Sequence, residues 1–206
     1  MLIDELKNIA RNNGIVGAGG AGFPAYAKMT EKADTVILNC VECEPLLKLH
    51  RQLLATHTEE IIQMLDEVRE SFGAKEAVIG IKSEYVTTIK AIEEVIGDFP
   101  NVRICALKAA YPMGDEVVLI YEATGRVIKP GGLPIDENVV VYNVETMYNL
   151  YRAVHLNIPV TNKLVSIVGE IDHPLTVRVP LGTTVKEAIS LAGKITVEDP
   201  AYVMGG

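Results

Sequence analysis

At 206 residues, with 49% hydrophobic and 22% charged content, the chain has the apolar material for a sizeable core and is too apolar to be disordered. A net charge of −8 argues against a general nucleic-acid binder, because phosphate contacts along a duplex need clustered Lys and Arg. No apolar run reaches membrane-spanning length, the N-terminus lacks a signal-peptide pattern, and three cysteines argue against structural disulfides. The expectation is a cytoplasmic protein with no direct membrane insertion, unless a partner takes it to a membrane or into a larger compartment.

The chain opens on a short amphipathic helix, with Leu2, Ile3, Leu6, Ile9 and Ala10 at helical spacing. Five glycines (14, 17, 19, 20 and 22) then fall within nine residues, followed by Phe23-Pro24. Such a loop bends where side chains cannot and brings bare backbone N–H groups against an anion. A flexible linker is the alternative reading, but Phe-Pro at the end of the run favours a ligand loop, and a phosphate is the ligand that suits it. Thr35 to Asn39 reads as a buried strand. A long helix follows, with Ile61, Ile62, Leu65, Val68 and Phe72 on one face and Thr56 and Glu59 at capping-box spacing near its start.

Ala77 to Ile81 is the next strand, and the helix carrying Ile89, Ile92, Val95 and Ile96 is expected to stop at Gly97. Val102 to Leu107 is a third strand, with Cys105 expected in the core. Asp115 to Thr124 reads as a helix closed by Gly125, Val139 to Tyr142 as a fourth strand, and about Glu145 to His155 as the helix after it. This alternation predicts an α/β domain over residues 1–159: a mostly parallel sheet flanked by helices, Rossmann-like in plan. Residues 160–206 read differently. Leu164 to Val168 and Leu175 to Val179 form two strands around Asp172-His173-Pro174, Thr183 to Ala192 is a short helix, and Tyr202-Val203 a last strand. A small α+β module is expected, with Val165, Ile167, Val177, Val179, Val185, Ile189 and Val203 as its core.

Four polar loops fall where they share the carboxyl edge of such a sheet, the edge at which α/β proteins bind ligands. They are the glycine loop, Asn39-Cys40-Val41-Glu42-Cys43-Glu44-Pro45, Tyr111-Pro112-Met113-Gly114-Asp115-Glu116, and Asn143-Val144-Glu145-Thr146. Five carboxylates (Glu42, Glu44, Asp115, Glu116 and Glu145) are thereby expected near one another. They would serve acid–base chemistry or accept hydrogen bonds from ribityl and ribose hydroxyls, or sit at helix N-termini for the dipole alone.

Together with Pro-Gly-Gly-Leu-Pro at 130–134 and Tyr121 to Arg126, these loops resemble one superfamily. It contains the NADH-oxidising flavoprotein subunit of respiratory complex I, the C subunit of the Rnf electron-transport complex, the cobalamin reductase of propanediol-utilising microcompartments, and the electron-transfer protein associated with proline reductase. The last two are the most similar in the third loop. The tail is similar to the soluble-ligand-binding β-grasp module of that superfamily. The resemblance implies an electron-transfer flavoprotein that oxidises NADH through FMN and passes electrons to iron–sulfur clusters and a downstream acceptor. A non-catalytic docking or ligand-binding module, engaging a partner subunit or a cobalamin, is the alternative.

The resemblance also implies roles. Gly17, Gly19 and Gly20 would pack against FMN and NADH, Phe23 would stack on adenine, and Lys28 would reach the FMN phosphate. Asn39 and Glu42 would line the flavin and its ribityl chain, and Glu44 would lie near the NADH ribose. Tyr111, Gly114, Asp115 and Glu116 would form the third side of the site, and Asn143, Glu145 and Thr146 the fourth. No side chain is implied as nucleophile or base, and no metal ligand is implied. Complex I relatives carry Arg where this chain has Ala18, which removes one cationic contact.

Cys40 and Cys43 form a Cys-x-x-Cys, which alone reads as a redox pair or half a zinc site. A second pair is absent, and the resembling loop carries the second cysteine without the first, so the spacing is taken as coincidental. The four histidines are expected on surfaces or helix faces. Three cysteines cannot hold a four-cysteine cluster. In the resembling proteins the chain runs on from a similar Gly-Gly into a cluster domain, so this sequence is expected to be the N-terminal part of a longer protein.

Overall fold

The computed structural model describes residues 1–20 and 22–205; Ala21 of the glycine loop and Gly206 lie outside the described residues. Four strands, β1 (Thr35–Cys40), β2 (Glu76–Lys82), β3 (Val102–Leu107) and β4 (Val139–Asn143), form an all-parallel sheet in the order β3-β2-β1-β4. From β1 the chain moves outward to β2 and β3, then returns to place β4 on the other side of β1. The order therefore reverses between β1 and β4, which opens a crevice at their carboxyl ends.

Both faces of the sheet are apolar, as buried parallel strands require. Val36, Leu38 and Cys40 of β1 point to one face with Ala77, Ile79, Ile81, Val140 and Tyr142. That face is covered by α1 (Ile3–Asn12), α2 (Leu49–Thr56), α3 (Thr58–Phe72), α4 (Val86–Val95) and α6 (Val144–Leu156). Ile37, Val78, Val139 and Val141 point to the other face, against Leu119, Ile120 and Ala123 of α5 (Glu116–Thr124). Gly80 lets α5 approach, since a Cβ there would stand 2.5 Å from Leu119 Cδ1.

Several elements differ from the sequence reading. The long helix before β2 forms as expected, as α3 from Thr58, but a separate helix, α2, precedes it and was not expected; the two meet at His57 (φ −124°, ψ 43°). Thr56 does not cap α3; its hydroxyl donates back to the Gln52 carbonyl at 2.9 Å. Helix α4 ends at Val95, and Gly97 sits inside a 3₁₀ turn, Ile96–Asp98. Cys105 is only half-buried, because β3 is the edge strand and little packs over it.

In the C-terminal module β5 (Asn162–Ile167) and β6 (Leu175–Pro180) pair antiparallel. Helix α7 (Val185–Ser190) starts on a capping box in which Thr184 accepts from Glu187 N and Glu187 accepts from Thr184 N. Ile167, Ala188 and Ala192 form the small core, with Val165, Val177 and Ile189 against it, and Val179 is buried as well. Tyr202-Val203 is not a strand: Val203 is 89% exposed, and an isolated bridge between Ile171 and Ile195 pairs earlier residues instead. Val185 also faces solvent, one residue after the helix cap.

Candidate functional site

The glycine loop is a zipped base with a projecting tip. Val16 and Pro24 form an antiparallel bridge, and the Gly17 amide donates to the Phe23 carbonyl at 2.8 Å. Gly14 and Gly22 take positive φ at the two bends, a conformation that disfavours any side chain. The tip is pinned to α6: Thr146 Oγ1 accepts from the Ala18 amide at 2.9 Å and donates to the Val16 carbonyl at 3.4 Å.

This tip leans over the crevice between β1 and β4 and closes a cavity of about 350 Å³. Gly17, Gly19, Gly20, Gly22 and Phe23 form its roof; Asn39, Val141, Tyr142 and Asn143 from the strand ends form its floor; Ala25, Lys28, Glu116 and Thr146 form its sides. A Cβ on Gly19 would run into the Asn143 amide. Backbone thus approaches the strand ends as closely as side chains elsewhere.

Lys28 reaches the cavity from a 3₁₀ turn, Ala25–Lys28, with Nζ 3.3 Å from Glu116 Oε1 and 3.4 Å from the Val141 carbonyl. Both side chains are more than a third exposed, so the pair is held weakly and an anion can displace the carboxylate. Phe23 is 52% exposed at the mouth. Asn39 Nδ2 donates to the Gly114 carbonyl at 3.0 Å, and its Oδ1 accepts from the Val41 amide at 3.0 Å. Gly114 must lack a side chain because a Cβ would collide with the Val41 carbonyl oxygen.

The remaining sequence-predicted residues stand outside the cavity lining. Glu42 is 5% exposed, accepts from the His50 amide at 2.9 Å and faces Arg51 Nε at 3.8 Å. Its Oε2 has no hydrogen-bond partner, and burial, only partly offset by the His50 amide and Arg51, pushes its carboxyl above the ordinary range. Glu44 lies on the same loop and does not line the cavity. Asp115 caps α5, accepting from the Val117 and Val118 amides at 3.0 and 3.2 Å. Tyr111 is 81% exposed beyond that loop.

Glu145 is 3% exposed and turned away from the cavity, where it takes Lys163 Nζ and the Leu164 amide of β5. Asn143 caps α6 through Oδ1 to the Glu145 amide at 2.9 Å.

Sequence reasoning missed His50. It opens α2 behind the cavity floor, with the Asn143 amide nitrogen 3.1 Å from Nε2 and 3.5 Å from Nδ1. Near-equal distances to both ring nitrogens place that amide over the ring face. Burial first, and the Lys163 charge second, lower the imidazole to about 4. No local pattern in the sequence marks His50, since its partner Asn143 lies 93 residues further along the chain. Cys40 is buried, and burial raises its thiol well above the ordinary value, which disfavours the thiolate a redox pair would need. Among the described residues no group of three His, Cys, Asp or Glu side chains could hold a metal ion.

A ligand crevice at the reversal point of a parallel sheet, roofed by glycines and edged by one lysine, defines a binder of an anionic, nucleotide-like group. Residues 10–152 match the Nuo51 FMN-binding domain, and the chain belongs to that family. Residues 164–201 match the SLBB domain. The chain is similar to cobalamin reductase PduS of Salmonella typhimurium, with 40% identity over 203 residues, 98% of this chain and 45% of that protein. It is 31% identical over 208 residues to the C subunit of the Na(+)-translocating ferredoxin:NAD(+) oxidoreductase complex of Acetobacterium woodii, covering 98% of this chain and 47% of that one. The chain thus spans about half the length of the curated relatives it matches. An NAD+-reducing NiFe hydrogenase in its H2-reduced state superposes with a TM-score of 0.76 at 22% identity, over 92% of this chain and 39% of that one, which establishes the shared fold.

The cavity fits the flavin that the family implies. About 350 Å³ lies within the range of small-molecule clefts, roughly 300–1,000 Å³. Gly19, where a Cβ would run into the Asn143 amide of the floor, keeps bare backbone against the cavity, and Lys28 supplies a cation for a phosphate. No described helix is long and apolar enough to cross a membrane.

Proposed function

We propose that this chain is the flavin-bearing, NADH-oxidising part of an electron-transfer protein, with FMN held in the cavity by residues 1–159 and residues 160–206 forming an attached module. The observation that carries it is the cavity at the β1/β4 reversal, glycine-roofed and bordered by Lys28. The chemistry FMN supplies there when bound is uptake of two electrons from a nicotinamide and release of electrons singly.

The chain's own residues bind and orient. Lys28 would exchange Glu116 for the phosphate, a charge-assisted contact beside backbone amides of the glycine loop. Freed from Lys28, Glu116 would accept hydrogen bonds from ribityl or ribose hydroxyls. Phe23 offers an exposed aromatic face at the mouth for adenine. Asn39 is already oriented by Gly114 and Val41, so the floor is built before any ligand arrives. Gly114 orients Asn39 of this floor, and Glu42 holds the amide of His50, whose ring meets Asn143. The acceptors would be iron–sulfur clusters and a partner protein elsewhere in the assembly.

Glu116 on the wall, with Glu44 and Asp115 on flanking loops, would repel the 2′-phosphate of NADPH. Stopped-flow bleaching of the flavin band in FMN-loaded protein tests the reading. Faster reduction by NADH than by NADPH is expected. A clear NADPH preference refutes the nicotinamide assignment, and a protein that takes up neither FMN nor NADH favours a docking or ligand-binding role.

A further inference from the structure

Glu145 is a buried carboxylate that lies between two residues of the cavity wall. Asn143 caps the helix whose second residue is Glu145, and Thr146 holds the tip of the glycine loop. Its carboxylate is 3% exposed and its partners come from β5: Lys163 Nζ on Oε2 and the Leu164 amide on Oε1 at 3.2 Å. Lys163 Nζ also donates to the Leu164 carbonyl at 2.9 Å, which fixes its head group. A buried charge stripped of its partner is strongly unfavourable, so this pair holds two chain regions to one geometry.

We propose that Lys163, delivered by the C-terminal module, is a positioning residue for the cavity: it holds Glu145 on the first turn of α6 and cancels a negative charge beside a site built for a phosphate. The proposal rests on the flavin reading of the cavity. The chain of contacts is continuous. Lys163 binds Glu145; Glu145 shares one helical turn with Asn143 and Thr146; Thr146 bonds Ala18, and Asn143 lies under Gly19. Lys163 is also close enough for its charge to disfavour a proton on His50, whose ring underlies the Asn143 amide. Loss of Lys163 would loosen the wall and leave an uncompensated carboxylate buried behind it.

The test compares wild type, Lys163→Met, Lys163→Arg and the double variant Glu145→Gln/Lys163→Met. Two readouts are needed: hydrogen exchange of the amides of α6's first turn in ligand-free protein, and FMN affinity from flavin fluorescence. Lys163→Met should exchange faster and bind FMN about tenfold more weakly. Lys163→Arg should restore both. So should the double variant, because Glu145→Gln keeps an acceptor for the Leu164 amide without an uncompensated charge. Wild-type exchange and affinity in Lys163→Met would overturn the proposal, as would a double variant no better than the single one. If wild type binds no FMN, the flavin reading falls by itself, and the exchange difference still decides whether Lys163 positions the wall.

Discussion

Lys28 is the cation among the described residues that line the cavity, and its partner Glu116 is half-exposed. Lys28→Ala should weaken FMN binding by about 1.5–3 kcal/mol, the scale of a charge-assisted hydrogen bond. Titration of ligand-free protein by flavin fluorescence measures it, and equal affinities would remove Lys28 from the phosphate site. His50 makes a different prediction. Its folded value lies near 4, below the ordinary 6.5, so the unfolded chain binds this proton at higher pH than the folded one. Stability is then fully present above about pH 6.5 and declines as pH falls toward 4, by up to about 3 kcal/mol. His50→Gln should show less of this acid loss when urea midpoints are compared at about pH 7.5 and about pH 4.5. Parallel declines in both proteins would mean the ring titrates freely. Lys28 was legible because the motif carrying it is contiguous. His50 was not, since its role comes from packing under Asn143, far away in sequence.

At the scale of elements, the helix N-termini explain where several carboxylates went. Asp115 accepts two amides of the first turn of α5, so Asp115→Ala should destabilise the fold by about 1 kcal/mol, the usual loss for an N-cap. A urea midpoint unchanged from wild type would show that the cap contributes nothing. The four strands were readable because a parallel sheet buried on both faces needs continuous apolar runs such as Val36-Ile37-Leu38. Helix α2 was not readable, since only Leu53 and Leu54 of its eight residues are buried, and Thr56 with Glu59 imitates a cap that the backbone does not use. Val203 misled for the opposite reason: two apolar residues near the end of the chain look like a strand whether or not an edge is there to receive them.

At the scale of the molecule, the strand order places β4 beside β1 and so converts four separate loops into one crevice. Sequence alternation implied that the loops share an edge, and Gly17, Gly19, Gly20, Phe23, Lys28, Asn39, Glu116, Asn143 and Thr146 do meet around one cavity. It could not distinguish side chains facing the cavity from those facing the C-terminal module, which is why Glu145 belongs with Lys163. The most direct test of the flavin site is calorimetric titration of FMN into wild type and Gly19→Val, whose side chain would be driven into the Asn143 amide while the sheet is left intact. Expected are one-to-one binding by wild type and loss of binding by a folded Gly19→Val. No FMN binding by wild type, or equal binding by both proteins, would contradict a flavin seated under the glycine loop.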